Sequence, residues 1–389
     1  MFFPRGIGQR ARGTGSRRID MDINERARQT IRSLPKTVHG GQAWKLDNIE
    51  DYSHNLNPFG APTFLDEIVA SAVPSVWHYP DDASLGFRTA VANEFDVEPE
   101  NVIAGAGSSD IIRMFPNTFL EPGDRVIMFT PSFAEYTQQC KICGVGIEYI
   151  RLREENDYRI NIEELSEKLT SDVKALYICN PNNPTGRVEP RDKILSIVDE
   201  CEEKGIMVFL DETLLELVDG YKDVSCASYV GEYTNLLVAG SLTKSFAIPG
   251  IRIGFGISNV DIIDQLNKVR MTWNIGAIEQ AVGERLIAEH MDYVHDAAAL
   301  LRKEADNMFD ELKDMGFPVN APCDGFFYFC DISSLGMDAG TFVSKMKSHG
   351  YMVRDCSSFG PDFTNCVRFC VKDNETNAGF LAAMRKVLE

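Results

Sequence analysis

Lys244, in Ser241-Leu242-Thr243-Lys244 and eight residues ahead of Arg252, is the side chain in this sequence best suited to covalent chemistry. An amine forms an imine with an aldehyde, while a nearby hydroxyl and guanidinium hold a dianion. Burial would lower the amine's pKa and make it nucleophilic. Upstream stand the other parts such a site needs: Gly105-Ala106-Gly107-Ser108-Ser109, Asn183-Pro184-Thr185-Gly186 and Asp211.

Each part has an ordinary reading and a chemical one. Gly107-Ser108-Ser109 opens a predicted helix, where a serine is usually a cap. Its unpaired amides and the helix dipole also suit a phosphate, and with Ser241 and Arg252 they form a phosphate cup. Asp211 ends the apolar run Met207-Val208-Phe209-Leu210. It either caps a turn or pairs with a ring nitrogen and keeps that ring an electron sink. Asn183 can donate its amide to a ring hydroxylate, although the turn itself needs only the proline and glycine. The isomer at Pro184 stays open. Phe133 is core packing or a stacking face for the ring, and Tyr79 is a turn residue or a phosphate ligand. Arg368 lies on an apolar strand, where an unpaired guanidinium is costly and a carboxylate partner resolves the cost. Arg354 pairs with Asp355 at the surface or meets a second substrate anion. Pyridoxal 5′-phosphate carries an aldehyde and a phosphate on one ring, and it is the cofactor that this set points to.

The bulk properties narrow the setting. At 389 residues, with 44% hydrophobic and 25% charged residues, the chain has the make-up of a soluble globular protein of two or three domains. No apolar run reaches membrane-span length, and Met1-Phe2-Phe3-Pro4-Arg5 lacks the apolar core of a secretory signal, so a cytoplasmic protein is expected. A net charge of −19 argues against nucleic acid and anionic membranes as partners. An anionic substrate must therefore be drawn in by a local cluster of arginines. Ten cysteines are scattered, with one C-x-x-C at Cys140 and Cys143. Reduced buried thiols are expected, and no metal site.

Around the site, residues 1–18 form a basic tail that cannot bury a core. It reads as a targeting peptide or as an extension upstream of a start at Met21. Residues 19–62 hold a helical segment over Asp20–Leu34 and then an extended, turn-rich arm, of the kind that wraps a partner subunit or an active-site mouth. Residues 63–290 alternate strands (Arg125–Phe129, Ala175–Cys179, Ile206–Leu210, Leu236–Ala239, Arg252–Ile257) with helices (Ser109–Phe119, Ile162–Lys168, Arg191–Lys204, Glu279–Leu286). Continuous apolar strands between helices predict an α/β fold with a parallel sheet covered on both faces. Ligands then bind beyond the carboxyl ends of strands, where Asn180, Asp211 and Ser241 should converge. Residues 291–389 predict a small α+β domain: a helix over Met291–Met315, then strands at Gly325–Asp331, Tyr351–Arg354 and Val367–Val371.

In this order, the motifs resemble the fold-type I pyridoxal-phosphate enzymes, in the branch of histidinol-phosphate aminotransferases and threonine-phosphate decarboxylases. The resemblance spans roughly residues 36 to 385. It implies a large domain with a mainly parallel seven-stranded sheet, a small C-terminal domain, and a homodimer with shared active sites. It also implies that Lys244 holds the cofactor as an imine, that Tyr79 reaches the neighbouring subunit's cofactor phosphate, and that Arg354 and Arg368 bind substrate phosphate and carboxylate. His39-Gly40-Gly41, Pro131–Tyr136, Ser241–Gly250 and Val353–Phe359 are more similar to the decarboxylases. Aminotransferases of the branch commonly carry Tyr three residues after the ring-nitrogen aspartate; this chain has Leu214. The expected reaction is decarboxylation of L-threonine O-3-phosphate, with His39, Gly40, Gly41 and Asn57 of the arm also at the substrate. Gln42 stands where the decarboxylases tend to have Asn. Histidinol-phosphate transamination is the alternative, and a non-catalytic cofactor-binding sensor a third.

Overall fold

The twelve strands of the computed structural model, which describes residues 22–34 and 46–389, build three sheets. In chain order they are β1 (Glu50–Asp51), β2 (Val102–Gly105), β3 (Arg125–Thr130), β4 (Gly146–Arg151), β5 (Val173–Cys179), β6 (Met207–Asp211), β7 (Leu236–Ser241), β8 (Gly254–Ser258), β9 (Phe327–Asp331), β10 (Tyr351–Met352), β11 (Arg354–Asp355) and β12 (Cys366–Cys370). The large sheet has seven strands in the order β2-β8-β7-β6-β5-β3-β4. Its pairings are parallel except along β8, which runs against both β2 and β7. The mainly parallel sheet expected from the sequence is therefore present.

Alternating residues explain why this sheet lies between two helical layers. Leu176, Ile178, Val208, Leu210 and Val238 enter the core on one face, and Ala175, Tyr177, Phe209, Leu237 and Ala239 the core on the other. Both faces are apolar, so neither can remain in water. Helices Ser108–Phe119 and Val260–Val269 cover the second face, sending Ile111, Phe115, Ile262 and Leu266 into it. Strands β2 and β4 are absent from the sequence expectations. β2 has four residues, and β4 is an edge strand with Ile150 as its buried residue, so neither carries a long apolar run.

Two expectations change. Helices at Glu279–Leu286 and Met291–Met315 are one element, Ala277–Asp314, interrupted at His290, whose φ of −138° and ψ of 20° are not helical. The predicted strand Tyr351–Arg354 divides at Val353. β10 pairs in parallel with β1 of the arm, while β11 joins the three-stranded antiparallel sheet β11-β12-β9. The arm thus returns to its own chain: Tyr52 stacks on Phe380 at 4.0 Å and bonds Asn377 at 3.0 Å, and its carbonyl accepts from Cys370 N at 2.9 Å. Among the described residues no helix is long and apolar enough to cross a membrane, and the ten cysteines are free, eight of them buried.

Phe209 is fully buried between Phe115 and Tyr177, with ring centroids 5.2 and 5.3 Å away. Phe209→Ala is expected to cost about 3–5 kcal/mol of stability, read as a lower urea midpoint. A loss under 1 kcal/mol would show that this face of the sheet collapses freely.

Candidate active site

Because β2, β3, β5, β6 and β7 share one direction, the segments that follow them emerge along one edge of the large sheet, and β8 begins there. This topology gathers Gly107, Phe133, Asn183, Asp211, Lys244 and Arg252 from positions far apart in sequence. It is the carboxyl edge where an α/β sheet binds ligands.

Lys244 sits in the one-turn helix Leu242–Ser245, which Ser241 caps by accepting from Thr243 N at 3.3 Å. The arm braces the turn from outside. Asn57 N donates to the Lys244 carbonyl at 3.0 Å, and Asn57 Nδ2 to the Ser245 carbonyl at 2.7 Å. Asn57 Oδ1 accepts from Phe59 N at 2.9 Å, so this buried amide, expected at the substrate, positions the lysine turn. Burial, then the charges of Arg368 and Arg252, push the Lys244 amine down to about 8, against a smaller pull from Asp51. Near neutral pH a useful fraction is therefore an unprotonated nucleophile.

Asp211 ends β6, 5% exposed, with no ion pair among the described residues. Oδ2 accepts from the Tyr136 hydroxyl at 2.6 Å and Oδ1 from Thr213 N at 2.9 Å. Burial raises its pKa, opposed by these bonds. A buried carboxylate held by two donors but lacking a cation suits a pyridinium nitrogen. Tyr136 escaped the sequence reading. Its signal was its place three residues after Phe133, which precedes helix Ala134–Cys143; the two rings meet edge-on at 5.6 Å.

At the phosphate cup, Gly107 precedes helix Ser108–Phe119 with φ of +78°. A Cβ on Gly107 would lie 2.6 Å from Arg252 Nη2, so glycine is what lets the guanidinium approach this helix start. Arg252 Nη2 donates to Ser109 Oγ at 3.1 Å. The Ser241 hydroxyl lies 3.0 Å from the Ile253 carbonyl and 2.9 Å from Thr243 Oγ1, so it ties the loop together and must rotate to meet a phosphate. Tyr79 is 72% exposed and stacks on Trp273 at 4.1 Å, on the protein surface.

On the substrate side, Arg354 and Arg368 are register partners across β11 and β12, so both guanidinium groups leave one face of the small sheet. Neither makes an ion pair among the described residues. Arg354 donates to Ser358 Oγ at 2.7 Å; Asp355, its expected partner, instead accepts from Ser357 N at 2.8 Å. Arg368 is buried, donates to Asn183 Oδ1 and the Ser53 carbonyl, lies over the Phe327 ring at 5.6 Å, and leaves Nε unsatisfied. The bond to Oδ1 orients the Asn183 amide so that Nδ2 remains as a donor. Peptide bonds before Pro131, Pro181 and Pro184 are cis. His39, Gly40, Gly41 and Gln42 lie outside the described residues.

The residues present fit pyridoxal 5′-phosphate: one unmatched buried carboxylate, a cluster of unmatched cations, a glycine that a Cβ would block, and a lysine with a lowered pKa. Apoprotein reconstitution with the cofactor should speed up about tenfold per pH unit below roughly 8 and level off above it, because only the neutral amine attacks. Lys244→Ala should give no lysine-linked visible absorbance at any pH; a persisting band would remove Lys244 from this role. Tyr136→Phe should weaken cofactor binding by roughly 10- to 150-fold in an absorbance titration, since Asp211 loses a bond of about 1.5–3 kcal/mol. Unchanged affinity would show that Thr213 N suffices.

Comparison with known proteins agrees with this geometry. The family model described as aminotransferase class I and II matches residues 51–384. A protein of Caldanaerobacter subterraneus subsp. tengcongensis, named provisionally as a threonine-phosphate decarboxylase, is 29% identical over 90% of this chain and 94% of its own length. Histidinol-phosphate aminotransferase of Ruminiclostridium cellulolyticum is 30% identical over 92% of this chain and 96% of its own. Among solved structures, the histidinol-phosphate aminotransferase of Clostridium acetobutylicum superposes with a TM-score of 0.80 at 26% identity, covering 87% of this chain and 98% of that one. The chain therefore belongs to the class I and II aminotransferase family, enzymes of fold type I, and its cofactor is pyridoxal 5′-phosphate.

Proposed function

We propose that this enzyme decarboxylates L-threonine O-3-phosphate to 1-aminopropan-2-ol O-2-phosphate, a step of cobalamin biosynthesis. The observation that carries the reading is the register of Arg354 opposite Arg368, with neither arginine in an ion pair among the described residues. Two like charges across a strand pair repel unless anions intervene. Phosphothreonine brings a carboxylate and a phosphate and matches both at once. Histidinol phosphate brings one anion, and its amino acceptor must supply others in a second half-reaction. Leu214, buried where an aromatic hydroxyl would stand in many aminotransferases, agrees with this choice. The aminotransferase stays the second reading because relatives of both names are similar to about the same degree.

When bound, pyridoxal phosphate supplies the aldehyde for the substrate amine and the ring that accepts electrons from Cα. The residues decide which bond breaks. Arg368 holds the substrate carboxylate by its fork, orienting the Cα–carboxylate bond, and Arg354 holds the phosphate. Asp211, kept in place by Tyr136 and Thr213, would pair with the ring nitrogen, and Asn183 Nδ2 would donate to the ring hydroxylate. Gly107, Ser108, Ser109 and Arg252 would hold the cofactor phosphate. After CO₂ leaves, Lys244 Nζ delivers a proton to Cα.

The protein acts as a homodimer in this reading. Trp77 is 88% exposed, Val76, Leu85 and Met271 are exposed too, and Tyr79 stacks on the exposed Trp273. A second copy covering them would bring Tyr79 toward the other subunit's phosphate cup. The smaller domain begins near the His290 kink and carries both substrate arginines.

Incubation with L-phosphothreonine alone should release CO₂ stoichiometrically with the amine product. Glutamate formation from histidinol phosphate and 2-oxoglutarate, without CO₂ from phosphothreonine, would overturn this reading in favour of the aminotransferase.

A further inference from the structure

His54 stands at the substrate side of the site, and none of the roles above uses it. The preceding residue places it: Arg368 donates to the Ser53 carbonyl, so His54 follows directly on the peptide group that holds the buried guanidinium. Three residues further on, Asn57 braces Lys244. Along this segment Tyr52, Ser53, Asn55 and Asn57 are all buried. The His54 side chain keeps 35% of its surface.

Its orientation is fixed. Nδ1 lies 2.5 Å from Asp51 Oδ2, while Asp51 Oδ1 accepts from Ser53 N at 2.8 Å and Ser53 Oγ at 2.6 Å. Burial raises the Asp51 pKa, but the bonds from His54 and Ser53 outweigh it and hold the carboxyl below its usual range. Asp51 itself is anchored by β1, paired with Met352 two residues before Arg354. A carboxylate on Nδ1 sets the tautomer and leaves Nε2 for something else.

We propose that His54, turned by Asp51, is a substrate-binding residue that donates from Nε2 to the phosphate of a phosphorylated amino acid. The proposal rests on the phosphorylated-substrate reading and deepens it by adding an arm residue that selects for the phosphate. The chemistry follows from shape. A carboxylate is planar and one guanidinium fork satisfies it, as Arg368 does. A phosphate presents terminal oxygens in several directions, and Arg354 approaches from the sheet alone. A donor on the arm supplies a second direction.

The test uses the holoenzyme, with the bound cofactor's visible absorbance reporting affinity for L-phosphothreonine and for unphosphorylated L-threonine. His54→Asn keeps a donor to Asp51 but lacks the distal nitrogen, whereas His54→Gln reaches the Nε2 position. His54→Asn is expected to weaken L-phosphothreonine about tenfold, the loss typical of one charge-assisted bond, with L-threonine within twofold. His54→Gln should recover most of the loss. Asp51→Asn, which leaves the ring without its carboxylate, should weaken the phosphorylated ligand in the same selective way. Equal weakening of both ligands, no change in either, or a wild-type enzyme that does not prefer the phosphorylated ligand would each overturn the proposal. If the wild type binds phosphothreonine selectively through His54 yet releases no CO₂, the decarboxylase reading fails and this one stands.

Discussion

Charge without a counter-charge is the constraint that organises this molecule. Arg368 is buried between an amide, a backbone carbonyl and an aromatic face, with one guanidinium nitrogen unsatisfied. Arg354 lies opposite, and the charges of Arg368 and Arg252 both depress the Lys244 amine. Asp211 is buried on the other side of the site without a cation. Isolated buried charges cost several kcal/mol each in a protein interior. The charges of the site are thus held apart by the surrounding fold, and a cofactor with a ring nitrogen and a phosphate would supply partners for Asp211 and Arg252. In a chain of net charge −19, this local excess of cations also lets an anionic ligand approach.

The sheet provides the rigidity that such a site demands. With apolar side chains on both faces and helices packed over the sheet, its strands are closed in from both sides and held in place by close packing. Asp211 and Ser241 are therefore held as the last residues of β6 and β7, in paired neighbouring strands. Close packing carries this into the loops. A Cβ on Gly254 would lie 2.6 Å from Gly107 C and Ser108 N, so the start of β8 and the cup helix are in backbone contact. The arm then couples the two sheets: β1 joins β10, Ser53 receives Arg368, and Asn57 holds the lysine turn. Movement of the small sheet relative to the large one would be felt at Lys244 and at the substrate arginines together.

Much of this was legible in the primary sequence for local reasons. Apolar runs ending in Asp211 and Ser241, glycine-serine before a helix and the order of the motifs identify the cofactor site, because each part is a short stretch whose residue types have few other uses together. Helix Ile162–Lys168 matches its expected bounds, where Asn161 caps it by accepting from Glu164 N at 3.0 Å. Elements with weak local signals were not legible. β2 is too short, β4 is an exposed edge, and the His290 interruption carries no proline or glycine to announce it.

By itself the sequence determined the chemistry on offer: an amine, a carboxylate, a glycine-serine helix start and two arginines near the chain's end on an α/β frame. Only the tertiary structure decided how these groups are used. It assigned Asn57 to the lysine turn, gave Asp211 the Tyr136 hydroxyl, placed Arg354 across from Arg368 and turned His54 with Asp51. The reason is physical. Residue type and local periodicity fix what a side chain can donate or accept, whereas its partner is set by contacts between strands and loops far apart in sequence, as from Ser53 to Arg368 across 315 residues.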